Sequence, residues 1–237
     1  MTQLADDLVI QRSYYTRTAA NYDDRHLHEA EHEFAASIML GAMDHLGVQS
    51  VLDIGSGTGR ALRHIKKARP ATRVLGIEPV AELRDVAYAN GIARDELVEG
   101  DATRLPFKDG EFDLVCEFGV LHHIRNPADA VREMLRVSRK AILISDSNNF
   151  GQGSLLARSF KQLLNAFSLW PLAYRMKTRG KGYTISEGDG LAYSYSVFTD
   201  YPQIRAKCRS VHVMNTTPAG IDPYRSASHV VLLGIRD

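Results

Sequence analysis

Val51-Leu52-Asp53-Ile54-Gly55-Ser56-Gly57-Thr58-Gly59-Arg60 decides the fold. A short apolar run carrying one carboxylate meets three alternating glycines. Polar and apolar residues at helical spacing follow, with Leu62, Ile65 and Ala68 on one face. The pattern predicts a strand, a tight turn and a helix. Glycines at such a junction permit the turn and let backbone approach a ligand closely.

The same alternation continues outward. Arg73 to Ile77 reads as a second strand, and Ala81 to Asn90 as a helix ended by Gly91. Glu96 to Glu99 reads as a third strand and Phe112 to Cys116 as a fourth. Asn126-Pro127 opens a helix to about Ser138, with Pro in its first turn. Ala141 to Ile144 is a fifth strand. Apolar strands alternating with helices predict a parallel sheet covered on both faces. Val211 to Thr217 and His229 to Ile235 supply two more strands, closing a doubly wound seven-stranded α/β sheet with an antiparallel last strand. Residues 1–47 read as a helical region that would act as a lid, with a helix near 29–46. Residues 150–205 read as a helical insertion, and the whole of 1–237 as one domain.

Composition sets outer limits. Of 237 residues, 44% are hydrophobic, and Lys plus Arg (29) nearly balances Asp plus Glu (28), which excludes disorder for the bulk of the chain. Cys116 and Cys208 are too few for a disulfide scaffold. The longest apolar run, Val230 to Leu233, is far short of the roughly 20 residues of a bilayer helix. The acidic start lacks a basic-then-apolar leader, so a cytoplasmic protein with reduced thiols is expected. The balanced charge gives no push toward DNA.

The glycine loop separates two cofactor classes. Dinucleotide sites use G-x-G-x-x-G, whose last glycine would fall at position 60, which is Arg here. The loop instead resembles motif I of the class I S-adenosylmethionine (SAM) methyltransferases, a hydrophobic-Leu-Asp-hydrophobic-Gly-x-Gly-x-Gly pattern. Further stretches resemble that family in order and spacing: Glu78-Pro79 after the second strand, Gly100-Asp101-Ala102 after the third, and Leu105-Pro106-Phe107 leading through Gly110 to Phe112-Asp113. Glu117 to Ile124, ending Leu121-His122-His123-Ile124, resembles the loop beyond strand four. Tyr15, Ala19, Tyr22 and Asp23 resemble the N-terminal lid. The likeness covers roughly residues 10–147. It lies nearest the group that holds quinone-biosynthesis and small-molecule enzymes.

The resemblance implies a Rossmann-like fold, SAM as cofactor, and methyl transfer to oxygen or nitrogen of a small or medium acceptor. It implies cofactor contacts from Gly55, Gly57 and Gly59, with Asp53 accepting from the SAM amino group. Glu78, beside Pro79, would hold the ribose hydroxyls. Asp101 and the Ala102 N–H would meet the adenine, Tyr15 and Tyr22 would close over the site, and Glu117 would face the methyl group. His122 and His123 are candidate bases, His122 ahead of His123, because imidazole titrates near neutral pH. Asp146, after strand five, is a candidate for binding an acceptor hydroxyl or amine. A SAM-binding regulator without turnover is the alternative, and an NAD-dependent oxidoreductase the weaker one.

Two features lie outside that frame. His28-Glu29-Ala30-Glu31-His32 satisfies H-E-x-x-H formally, but no third ligand is evident. A solvated helix face is expected there, and no metal. Residues 147–186 carry six basic residues and no Asp or Glu, with Leu155, Leu156, Phe160, Leu163, Leu164 and Phe167 at helical spacing. The expectation is a basic amphipathic helix packing its apolar face on the domain. An anionic or lipid-linked acceptor would suit its charge; no RNA-binding module accompanies it. A homodimer stays open.

Overall fold

The computed structural model describes residues 2–19 and 30–237. Helix α1 (Thr2–Thr18) and α2 (Ala30–Leu46) precede the glycine-loop unit. That unit runs β1 (Ser50–Ile54), α3 (Arg60–Ala68), β2 (Arg73–Ile77), α4 (Ala81–Ala89), β3 (Leu97–Val98), β4 (Phe112–Phe118), α5 (Pro127–Val137) and β5 (Ser138–Ser147). The insertion holds α6 (Leu155–Ala166), α7 (Trp170–Lys177), β6 (Tyr183–Ser186), β7 (Gly190–Tyr193) and α8 (Val197–Arg205). Strands β8 (Ser210–Asn215) and β9 (His229–Ile235) complete the fold.

The seven-stranded sheet has the order β3-β2-β1-β4-β5-β9-β8. Strands β1 to β5 pair in parallel, and β9 enters antiparallel between β5 and β8, with Leu143 opposite Leu233. The doubly wound sheet expected from the sequence is present. Strand residues alternate between two cores, as the pleat requires. Leu52, Val115, Ile142 and Leu232 pack with Met134 of α5 and Ile204 of α8. Val51, Leu114, Leu143 and Val231 pack with Met39 of α2 and Leu62 and Ile65 of α3 on the other face.

The insertion departs from expectation in two ways. It contains a hairpin, β6–β7, where the sequence suggests only helix and loop; Tyr183 pairs Tyr193 and Ser186 pairs Gly190. Glu187-Gly188-Asp189 is the turn of that hairpin. The second departure is the facing of α6. None of its residues is buried. Its apolar side faces outward, while Lys161 and Gln162 bond inward to backbone carbonyls of Gln152 and Phe150 at 2.9 and 3.0 Å.

Candidate functional site

The glycine loop leaves β1 and is pinned from both sides. Ser56 N–H donates to the Ile77 carbonyl at 3.0 Å, and Gly59 N–H to the Ser56 carbonyl at 2.8 Å. Gly55 has φ +65°, and a Cβ there would lie 2.5 Å from Val120 Cγ2. Only glycine meets both demands. Gly57 N–H points at the next strand end and donates to Glu78 Oε2 at 3.0 Å, while Val80 N–H donates to Oε1 at 2.9 Å. Burial pushes the Glu78 carboxyl up to about 7, against those two backbone bonds.

A cavity of about 340 Å³ opens over these strand ends. This lies in the range of about 300–1,000 Å³ typical of small-molecule sites. It also lies at the carboxyl ends of the parallel strands, where open α/β sheets bind ligands. Of the sequence candidates, Tyr15, Gly55, Gly57, Glu78, Pro79, Asp101, Ala102 and His123 line it. Tyr193 of β7 lines it as well, and so do Gln11, Arg12 and Arg125, which escaped the sequence reading. No local motif marks them; α1, the turn after β4 and β7 meet only in the folded chain.

The remaining candidates sit elsewhere. Gly59 caps α3, and a Cβ on it would meet Ile92 at 2.9 Å, so it serves packing. Asp53 is buried beneath the loop beside Cys116 Sγ at 3.7 Å, and burial raises its carboxyl to about 7. Glu117 is wholly buried; Val120 N–H donates to its Oε2 at 2.9 Å. Burial, then the neighbouring Asp146 charge, push Glu117 well above the carboxylate range, so it is a neutral structural acid rather than a group facing the cavity. Asp101 turns one oxygen to Thr103, accepting from N–H and Oγ1, each at 2.8 Å, and its residue stays exposed. Tyr22, Asp23 and His28 lie outside the described residues.

The two histidines exchange the roles expected of them. His122 is turned from the cavity, because Asp146 holds it: Nδ1 lies 2.7 Å from Asp146 Oδ1. Asp146 also accepts from the N–H groups of Leu121 (2.8 Å), His122 (3.3 Å) and Ser147 (2.5 Å). With four donors on two oxygens, buried Asp146 fixes the turn after β4 and keeps no lone pair for an acceptor. Burial alone would depress His122, but the charges and hydrogen bonds of Asp146 and Asp189 carry it well above the usual imidazole range. His123 is held differently. Its Nδ1 donates to the Leu191 carbonyl at 2.7 Å, which leaves Nε2 as a lone pair, 3.0 Å from the Tyr15 hydroxyl. Burial and then the His122 charge push His123 below its usual range, so it is neutral near pH 7.

His122, His123 and Asp189 bring ligand atoms within 4.8 Å of one another and could in principle receive a metal. The hydrogen bonds just described, with Asp189 3.3 Å from His122 Nε2, already satisfy them. His32 is no solvated residue either; it packs on Phe118 and His229.

The residues fit SAM. The cavity presents a glycine cradle, a carboxylate at each of two strand ends, and apolar side chains from Ile77, Val80 and Leu83. Residues 52–143 match the methyltransferase domain family. Over that stretch the chain is similar to methyltransferase domains. The matched stretch runs from within β1 to within β5 and holds Gly55, Gly57, Glu78 and Asp101. The chain is 36% identical over 97 residues to norajmaline N-methyltransferase of Rauvolfia serpentina, covering 38% of this chain and 32% of that protein. It is 31% identical over 136 residues to a ubiquinone/menaquinone biosynthesis C-methyltransferase of Ectopseudomonas mendocina, covering 54% and 52%. It thus spans about a third to a half of the length of these relatives. In fold it is similar to the Burkholderia thailandensis 1,6-didemethyltoxoflavin-N1-methyltransferase, solved with its namesake substrate and S-adenosylhomocysteine, with TM-score 0.61, 16% identity, and 98% and 90% of the two chains covered. No described helix is long and apolar enough to cross a membrane.

Proposed function

We propose that the protein is a SAM-dependent methyltransferase acting on an O–H or N–H group of a small or medium acceptor. The observation that carries this reading is the glycine loop meeting Glu78 on the cavity wall, 3.0 Å from Gly57 N–H to Oε2. Each Glu78 oxygen keeps a second lone pair, suited to the two ribose hydroxyls. Asp101, with one oxygen free of Thr103, suits the adenine amine. When bound, SAM supplies the activated methyl group. The chain's task is to align the acceptor, exclude water and take a proton.

His123 Nε2 is the atom that takes it. The Tyr15 O–H that donates to Nε2 can accept from the acceptor, so the proton moves one step along to the imidazole. His122 and Asp146 position this turn without touching the cavity. Arg12 and Arg125 line the same cavity and favour an acceptor with negative charge.

Calorimetric titration with SAM, S-adenosylhomocysteine and NAD tests the reading. Micromolar binding of the first two, with none of NAD, is expected. Binding of NAD alone would replace it with the oxidoreductase alternative. Binding of both sulfur compounds without transfer to any acceptor would leave a SAM-responsive regulator.

A further inference from the structure

Helices α6 and α7 form a hairpin turned inside out. The polar side of α6 faces the domain: Lys161 reaches the Gln152 carbonyl, Gln162 the carbonyls of Phe150 and Arg225, and Asn165 the Tyr224 hydroxyl. Its apolar side faces solvent. Leu156 is 83% exposed, Phe167 69% and Phe160 61%; on α7, Met176 is 74% and Leu172 61% exposed. Scattered apolar side chains on a surface are ordinary, but a run along one face of a helix and on its packed neighbour marks an interaction site.

The charge says what covers it. Residues 147–186 hold six basic side chains and no acid. Arg158 is tied inward to the Ser226 carbonyl, and Lys161 is tied as above. Arg175, Lys177, Arg179 and Lys181 are exposed at the end of α7 and just beyond it. An apolar face whose own segment carries cations and no acid matches the boundary between acyl chains and anionic headgroups. A second copy is disfavoured, because a two-fold interface would set like charges together with no acid in the patch.

We propose that this hairpin docks the protein on an anionic lipid surface, with the outward leucines and phenylalanines entering the headgroup boundary and the four cations on lipid phosphates. The proposal does not depend on methyl transfer. It uses surface side chains only.

Vesicle co-sedimentation of the full chain tests it, with phosphatidylcholine vesicles against vesicles rich in phosphatidylglycerol. The expected result is at least about tenfold stronger partition onto the anionic vesicles, abolished by high salt. The double variant Leu156→Ser with Phe160→Ser, and the variant Lys177→Glu with Arg179→Glu, should each lose about tenfold while keeping the parent's circular dichroism and S-adenosylhomocysteine binding. Wild-type protein left in the supernatant with both vesicle types would overturn the proposal, as would variants that bind like wild type. So would a dimer in sedimentation velocity that Leu156→Ser with Phe160→Ser dissolves, which would assign the face to a second copy.

Discussion

Helices α3 and α6 read alike and face opposite ways. Both are short, amphipathic and basic. In α3 the apolar side, Leu62 and Ile65, is fully buried against the sheet. In α6 nothing is buried, and Leu155, Leu156, Leu163 and Phe160 face solvent. Periodicity identifies a two-sided helix; it does not say which side the protein keeps. That choice is made by the flanking chain. Gly59 seats α3 close on Ile92 and on Ala87 of α4, whereas carbonyls of the turns on which α6 rests ask for donors rather than methyl groups.

The widest separation between the two helices should appear in stability. Leu62→Ala leaves a cavity in the core and is expected to cost about 3–4 kcal/mol in urea unfolding. Leu156→Ala should change stability by less than about 0.5 kcal/mol, as for other exposed sites. Equal effects would mean that α6 also packs its apolar side.

The cofactor half also buries carboxylates, where α6 buries no residue at all. Glu78 titrates near 7 when folded and near 4.5 when unfolded, so the folded chain holds a proton that the unfolded chain releases between those values. Its contribution to stability therefore falls as pH rises through that window. Relative to wild type, Glu78→Gln should recover up to about 3 kcal/mol of that fall, read from denaturation series at several pH values. A slope identical to wild type would show that Glu78 is ionised in the fold.

Catalysis separates the histidines. His123→Gln should lower turnover by about 100-fold with S-adenosylhomocysteine affinity unchanged. Tyr15→Phe should lower turnover in the same direction, and a pH–rate profile that keeps its acidic limb in His123→Gln would remove the imidazole from the proton path. A modest effect belongs to the insertion: Lys161→Ala should cost about 1 kcal/mol, the scale of one hydrogen bond, and still exceed Leu156→Ala.

The cofactor half was legible because its turn is fixed by backbone geometry. A positive φ at Gly55 and a close approach to Val120 leave one residue type, so the requirement is written in the sequence. Glu78 is legible too, since it sits one residue beyond the apolar run of β2. The turn after β4 was half legible. The His-His pair is visible, but which imidazole meets the cavity depends on Asp146, 24 residues on, and on Leu191, 68 residues from His123. His32 looks solvated by helical spacing, yet Phe118 and His229 draw it inward. Strand β6 was missed because it is short and Ile185 is exposed, so no apolar alternation announces it.

One side of the cavity is closed by a clasp between α1 and the β6–β7 hairpin, segments far apart in the chain. The Tyr14 hydroxyl donates to the Glu187 carbonyl at 2.7 Å, Leu191 N–H donates to Gln11 Oε1 at 2.7 Å, and a Cβ on Gly190 would strike the Tyr14 ring at 2.7 Å. These partners stand 173 and 180 residues apart. Contacts at such separation form after local ones, since the chain between them must first be ordered. A chain emerging from the ribosome would therefore assemble the glycine cradle early and stay open at Tyr15 until the insertion has been made. Nascent protein could hold its nucleotide-like ligand well before it could shelter a reaction, and limited proteolysis of stalled chains would show α1 protected only once residue 191 has cleared the exit tunnel.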